Sequence, residues 1–153
     1  MQIENSLQVS ELENIFKCAR EIVLKDINKF MPKPVNDSHS KKVLYEKRLG
    51  QRLLKIELIY FTGLSWTKPH THPECMIENI LSGSLIEQLY IETESGLKKG
   101  DKIVRSEGHY RVTQCHKGHP HDVISRDGSS TVLSLSFGRN AVEPIDREKL
   151  LVN

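Results

Sequence analysis

The sequence predicts a mainly β fold, an antiparallel sandwich or closed barrel preceded by a single N-terminal helix. Apolar residues recur at three-to-four spacing only once, near the start of the chain. After that stretch come many short apolar runs, some alternating with polar residues as half-buried strands do. Between the runs stand Gly83, Gly96, Gly100, Gly108, Gly118 and Gly128, each where a turn would need positive φ or a tight bend. A parallel α/β sheet would need helical patterns between its strands, and none is visible.

A chain of 153 residues fits one domain, 1–153, and is long enough to bury a hydrophobic core. Its 37% apolar and 27% charged residues suit a globular chain rather than a disordered one. With 22 Lys+Arg against 20 Asp+Glu the charge is nearly balanced, so the electrostatic footprint of a nucleic-acid binder is missing. No apolar run approaches the ~20 residues of a membrane span, and no signal-peptide core is present. Cys18, Cys75 and Cys115 are an odd number without framework spacing, which points to a reduced, cytoplasmic setting.

The helix is expected over about residues 10–31. Ser10-Glu11-Leu12-Glu13 reads as a capping box, with the Ser10 hydroxyl accepting from the Glu13 amide. Leu12, Ile15, Phe16, Ala19, Ile22, Val23, Ile27 and Phe30 form its apolar stripe, and Pro32 and Pro34 end it. Cys18 beside the stripe reads as packed and inert. Residues 36–42 are polar and read as a linker, and the barrel is expected over about 43–140. Strands are predicted at residues 53–61, 76–81, 85–90, 102–104, 110–113, 121–125 and 131–137. Residues 143–151 read as a short terminal helix or tail.

Function is concentrated in two histidine clusters. His70 and His72 are two positions apart, so on a strand both imidazoles point to one face and can share a metal ion. A strand running on to a turn at Gly83 would bring a distant ligand beside them. The second cluster, His116-Lys117-Gly118-His119-Pro120-His121, is the obvious supplier. His119 and His121 share parity, so His119 either replaces His121 or supports it. Glu78, with Glu74 behind it, is the rival carboxylate ligand. Cys115 is read as buried rather than ligating. His109 and His116 read as surface residues, while Tyr60 and Trp66 pack in the core or line a pocket.

Gly63, His70, His72, Met76 and Gly83 resemble the first motif of the cupin superfamily, and Gly118-His119-Pro120-His121 resembles its second. The resemblance implies a jelly-roll barrel with His121 as the third metal ligand. Members usually carry glutamate where Met76 stands; thioether sulfur is a weak donor, so a three-histidine set is implied. Within the superfamily, His70-Thr71-His72, the segment from Ile80 to Tyr90 and the His121 strand leading to Val132-Leu133-Ser134-Leu135 are similar to cysteine dioxygenase-type thiol dioxygenases.

That resemblance implies ferrous iron adding dioxygen to a small carboxylate-bearing thiol to give a sulfinate. Zinc and nickel also suit imidazole. It places a substrate-binding cation on an early strand, at Arg48 or Lys47; Arg48 is the better choice because a planar guanidinium grips a carboxylate with two bonds. An ungapped match keeps Ser134 but puts Ser136 and Gly138 where the family has histidine and tyrosine. A one-residue shift puts Phe137 at the tyrosine position. Cys75 lies next to the place of a cysteine that some members cross-link to that tyrosine. Two alternatives stay open: a metal-dependent isomerase, lyase or cyclase, and a non-catalytic small-molecule binder. The expected partners are a small thiol and dioxygen, with no nucleic acid or membrane. The expected assembly is a monomer or homodimer.

Overall fold

The computed structural model describes residues 7–34, 37–68, 70–71, 75–113, 120–139 and 143–144. Helix α1 spans Val9–Lys25, and a short turn of helix α2 follows over Ile27–Phe30. The first cap is Gln8, two residues before Ser10. The Glu11 side chain reaches back to the Gln8 amide at 3.4 Å, completing a capping box two residues earlier than expected. Asp26, with non-helical backbone angles, separates the two helices. Among the described residues no helix is long and apolar enough to cross a membrane.

Among the described residues ten strands follow: β1 His39–Leu49, β2 Arg52–Phe61, β3 His70–Thr71, β4 Cys75–Ser82, β5 Leu85–Thr93, β6 Gly96–Arg105, β7 Tyr110–Thr113, β8 His121–Ser125, β9 Ser130–Gly138 and β10 Glu143–Pro144. They form two antiparallel five-stranded sheets, β1-β2-β9-β4-β7 and β10-β3-β8-β5-β6. This is the predicted mainly β architecture, a jelly roll behind an N-terminal helix.

The first sheet is apolar on both faces, because alternate residues of β2, β4 and β9 serve two different cores. Leu54, Ile56, Leu58, Cys75, Ile77, Leu133, Leu135 and Phe137 pack under Leu12, Phe16 and Val23 of α1. The intervening residues Ile59, Phe61, Ile80 and Val132 meet Leu85 and Val123 of the second sheet inside the barrel. Each such aliphatic or aromatic side chain contributes ~1.5–3 kcal/mol when fully buried. Both cores are therefore needed to hold the sheets and the helix together.

Three expectations are corrected. Residues 39–42 belong to strand β1 rather than to a linker. Gly100 lies within β6 rather than at a turn, whereas Gly96 opens that strand with a φ of 140° as expected. Residues 143–144 pair with β3 as a strand, not a helix.

Candidate metal centre and cavity

Antiparallel pairing of β3 with β8 puts His70 directly opposite His121. Directly opposed residues on one face have Cβ atoms ~4.5–5.5 Å apart, so the register alone brings the two rings together. Their centroids stand 4.6 Å apart in an edge-on arrangement, and the two Nε2 atoms are 3.1 Å apart. Each ring is oriented from behind. The Lys68 carbonyl can only accept, so His70 Nδ1 carries a hydrogen and donates to it at 2.7 Å. His121 Nδ1 donates at 3.0 Å to Glu87 on the neighbouring strand β5. Both Nε2 atoms consequently turn toward each other.

Imidazoles facing each other through Nε2, each with its hydrogen on Nδ1, would present two lone pairs. A proton on one ring or a cation between them closes that contact. Nitrogens bound at ~2.1 Å to one ion stand ~3.0 Å apart at a right angle and ~3.4 Å apart at the tetrahedral angle. The 3.1 Å separation fits that range. Burial, followed by the charge of His121, brings the His70 imidazole down to about 3, so it is neutral at ordinary pH, as a ligand must be. Among the described residues no group of three or more His, Cys, Asp and Glu side chains is placed to hold a metal. His72, the expected ligand between them in sequence, lies outside the described residues, as do Glu74, Cys115, His116 and His119.

The pair opens on a cavity of about 600 Å³ between the sheets. Ile59, Phe61, Ile80, Leu85, Val123 and Val132 form its apolar wall, and Met76 also lines it. Its polar wall is an ion network joining the sheets. Glu87 accepts from Arg105 Nε at 2.6 Å and from Arg111 Nη1 at 3.4 Å, and Arg111 Nη2 donates to Glu78 at 2.8 Å. Burial alone would raise the Glu87 carboxyl, but His121, Arg111 and Arg105 together hold it well below the usual carboxylate range. Arg105 Nη1 also donates to His109 Nε2 at 3.2 Å. Burial first, then Arg105 and Arg111, lower the His109 imidazole from its ordinary value.

The predicted substrate residues fall elsewhere. The β1 register sets Lys47 opposite Leu54 and Arg48 opposite Leu53, next to the hairpin at Gly50. Both are exposed and neither lines the cavity. At ~3.3 Å per residue Arg48 is ~23 Å along the strand from Lys41, which does line it. Tyr60 points to the opposite face from Ile59 and Phe61, and Ser134 is buried between Glu57 and Glu78 in register without reaching the lining. Glu78 lines the cavity, bound to Arg111 rather than to the histidines. Cys75 sits opposite Phe137 in the core beneath α1, and Cys18 is exposed rather than packed.

Sequence reading missed His39, Lys41, Glu87, Arg105 and Arg111, and it placed the cavity residue His109 on the surface. One signal was available for Glu87. It has the parity of the apolar Leu85 on the same strand, which marks a carboxylate pointing inward.

No family model matches the sequence, and no curated sequence is similar enough to count as a relative. Solved structures do match. KdgF from Halomonas sp. superposes with a TM-score of 0.52 at 18% identity, over 74% of this chain and 89% of that one. A cupin superfamily protein from Desulfitobacterium hafniense gives 0.50 at 14%, over 69% and 83%. A structure of the DMSP lyases RdDddP and RnDddQII gives 0.51 at 14%, over 71% of this chain and 53% of that one. At such identities the likeness is one of fold alone. The chain folds as the jelly-roll barrel seen in cupin superfamily structures.

Proposed function

We propose that this protein is a metal-dependent enzyme similar to cysteine dioxygenase, with ferrous iron on His70, His72 and His121 and a small carboxylate-bearing thiol as substrate. The observation that carries the reading is the orientation of the histidine pair. Nε2 of His70 and of His121 face each other at 3.1 Å while both Nδ1 atoms are engaged behind them. The absence of a carboxylate from the ligand set is supported by the neighbours. Met76 stands where related proteins use glutamate, and Glu78 is held by Arg111 at 2.8 Å. Imidazole alone suits iron, zinc and nickel, so the thiol and oxygen parts rest on the sequence resemblance.

Iron bound there would supply the dioxygen chemistry, in which both atoms of O2 are added to the sulfur of R–SH to give R–SO2H. The chain's own side chains bind and orient. A neutral imidazole shell leaves the ion its positive charge, which favours a thiolate over a thiol. Lys41 in the cavity lining takes the role that sequence assigned to Arg48, meeting the substrate carboxylate, because Arg105 and Arg111 are already matched by Glu87 and Glu78. Ile59, Phe61 and Val132 keep the sulfur end dry.

The test is anaerobic loading with iron, followed by oxygen uptake against small thiols with and without a carboxylate. One O2 consumed per sulfinate formed is the expected result. No thiol-dependent uptake at full iron occupancy would overturn it.

One observation favours a second reading, metal-dependent chemistry without oxygen. The cavity holds His39, a titratable group that oxygen addition does not require, and burial followed by the charge of Lys41 lowers its imidazole from the ordinary value. A neutral imidazole can take a proton from a substrate. The DMSP lyases with this fold make elimination a reasonable class to assay. Product formation under nitrogen would establish it, and tight binding without turnover would instead mark a non-catalytic binder.

A further inference from the structure

Glu87 joins two structures that are separate in the sequence. It is only 4% exposed, and it accepts from His121 Nδ1 at 3.0 Å and from Arg105 Nε at 2.6 Å. Arg111 Nη1 reaches the same carboxylate at 3.4 and 3.5 Å. Glu87, Arg105 and His121 lie on β5, β6 and β8 of one sheet, whereas Arg111 and its partner Glu78 lie on β7 and β4 of the other. The contacts therefore run from the histidine pair, through one carboxylate, across the seam between the sheets.

The chemistry of that carboxylate is directional. An ionised carboxylate only accepts, so the ring nitrogen that faces it must carry the hydrogen. The other ring nitrogen, Nε2, is the atom that faces His70 at 3.1 Å. Arg105 and Arg111 reach both oxygens of Glu87, so the carboxylate cannot rotate away from His121 without breaking these contacts.

We infer that Glu87 is the positioning residue of the metal centre, holding His121 in the tautomer and orientation that direct Nε2 at the ion. The inference rests on the metal reading of His70 and His121. A residue that merely closed the seam would matter for stability and leave metal affinity untouched. Carboxylate support behind a ligating histidine typically changes metal affinity 10–100-fold.

The experiment compares the full-length wild type with Glu87→Gln, Glu87→Ala and Arg111→Met. Affinity for Co(II) and Zn(II) is measured by chelator competition, and side-chain 15N shifts of histidine are measured without metal. The expected result is a loss of about 10-fold in Glu87→Gln and up to about 100-fold in Glu87→Ala. In Arg111→Met, where His121 and Arg105 still hold Glu87, the loss should be below about threefold, with a lower Tm. In the metal-free spectra His121 should be the Nδ1–H tautomer in the wild type and a mixture in Glu87→Ala. Should Glu87→Ala fail to fold, the near-isosteric Glu87→Gln decides. Wild-type affinity in the folded Glu87 variants, or an unchanged tautomer, would overturn the inference alone. A wild type that binds neither metal would overturn the metal reading and this inference with it.

Discussion

Lys41 lies directly opposite Ile59 in the β1–β2 ladder, and both side chains line the cavity. Arg48, on the same strand, ends at the hairpin. If Lys41 meets the substrate carboxylate, Lys41→Met should raise KM for a carboxylate-bearing thiol about 10-fold, the loss of ~1.4 kcal/mol of charge-assisted binding. kcat should stay nearly unchanged, and Arg48→Met should change neither constant. Steady-state kinetics on both variants check this, and equal effects would refute it. Gly83 makes a simpler demand. Its φ is +79°, and an added Cβ would lie 2.5 Å from both the Ser129 carbonyl oxygen and Ser130 Oγ. Gly83→Ala should cost about 1–3 kcal/mol in urea unfolding, since both the angle and the backbone contact oppose a side chain. Gly83 was legible as a turn from its place between two apolar runs. Lys41 was not, because one lysine in a polar stretch looks like solvated surface until a register gives it a face.

Among the elements, helix α1 and edge strand β1 show what periodicity can carry. Leu12, Phe16 and Val23 fall at helical spacing because one face is buried, so the helix could be read directly. Its start could not, because Gln8 and Ser10 are competing caps and packing decides between them. The first four residues of β1 were read as linker because an edge strand whose residues are mostly exposed has no alternating pattern, and lysines are common on such edges. Among the described residues β10 pairs over two positions, too few to leave a pattern. Helix α1 is docked partly through Tyr110 of β7, whose hydroxyl donates to Glu13 at 2.9 Å and whose ring lies 5.9 Å from that of Phe16. Burial, then the Glu13 carboxylate, push the Tyr110 phenol up to about 12. An unfolded tyrosine ionises near ~10. The folded state thus keeps a proton that the unfolded state releases, so this contribution is complete below pH ~10 and is lost as pH rises toward 12. Urea midpoints measured across that window should fall more steeply in the wild type than in Tyr110→Phe; parallel profiles would remove Tyr110 from the docking of the helix.

In the whole molecule, the cavity draws its walls from nearly every strand of both sheets, which is why the barrel was legible and much of its lining was not. Strands announce themselves locally through alternation, but the charges that meet across a seam depend on the order in which strands assemble. His70 and His121, 51 positions apart, could be nominated from motif spacing; the Glu87 and Arg111 contacts behind them could not. The same assembly gives the metal reading a thermodynamic consequence. Among the described residues, β3 pairs with β8 at His70↔His121 and with β10 at two positions. An ion shared by His70 and His121 would add a bond across the β3–β8 pairing. A ligand that binds only the folded state stabilises it by ~2.7 kcal/mol at one hundred times its Kd. For a chain of this size that corresponds to a rise in Tm of ~5–10 °C. Titrating Zn(II) or Co(II) into metal-free protein during thermal unfolding should produce that rise. In His121→Ala it should disappear, because the ladder survives without the imidazole but the ion loses its bridge. An equal rise in both proteins would place the metal elsewhere, and the proposed centre would fall.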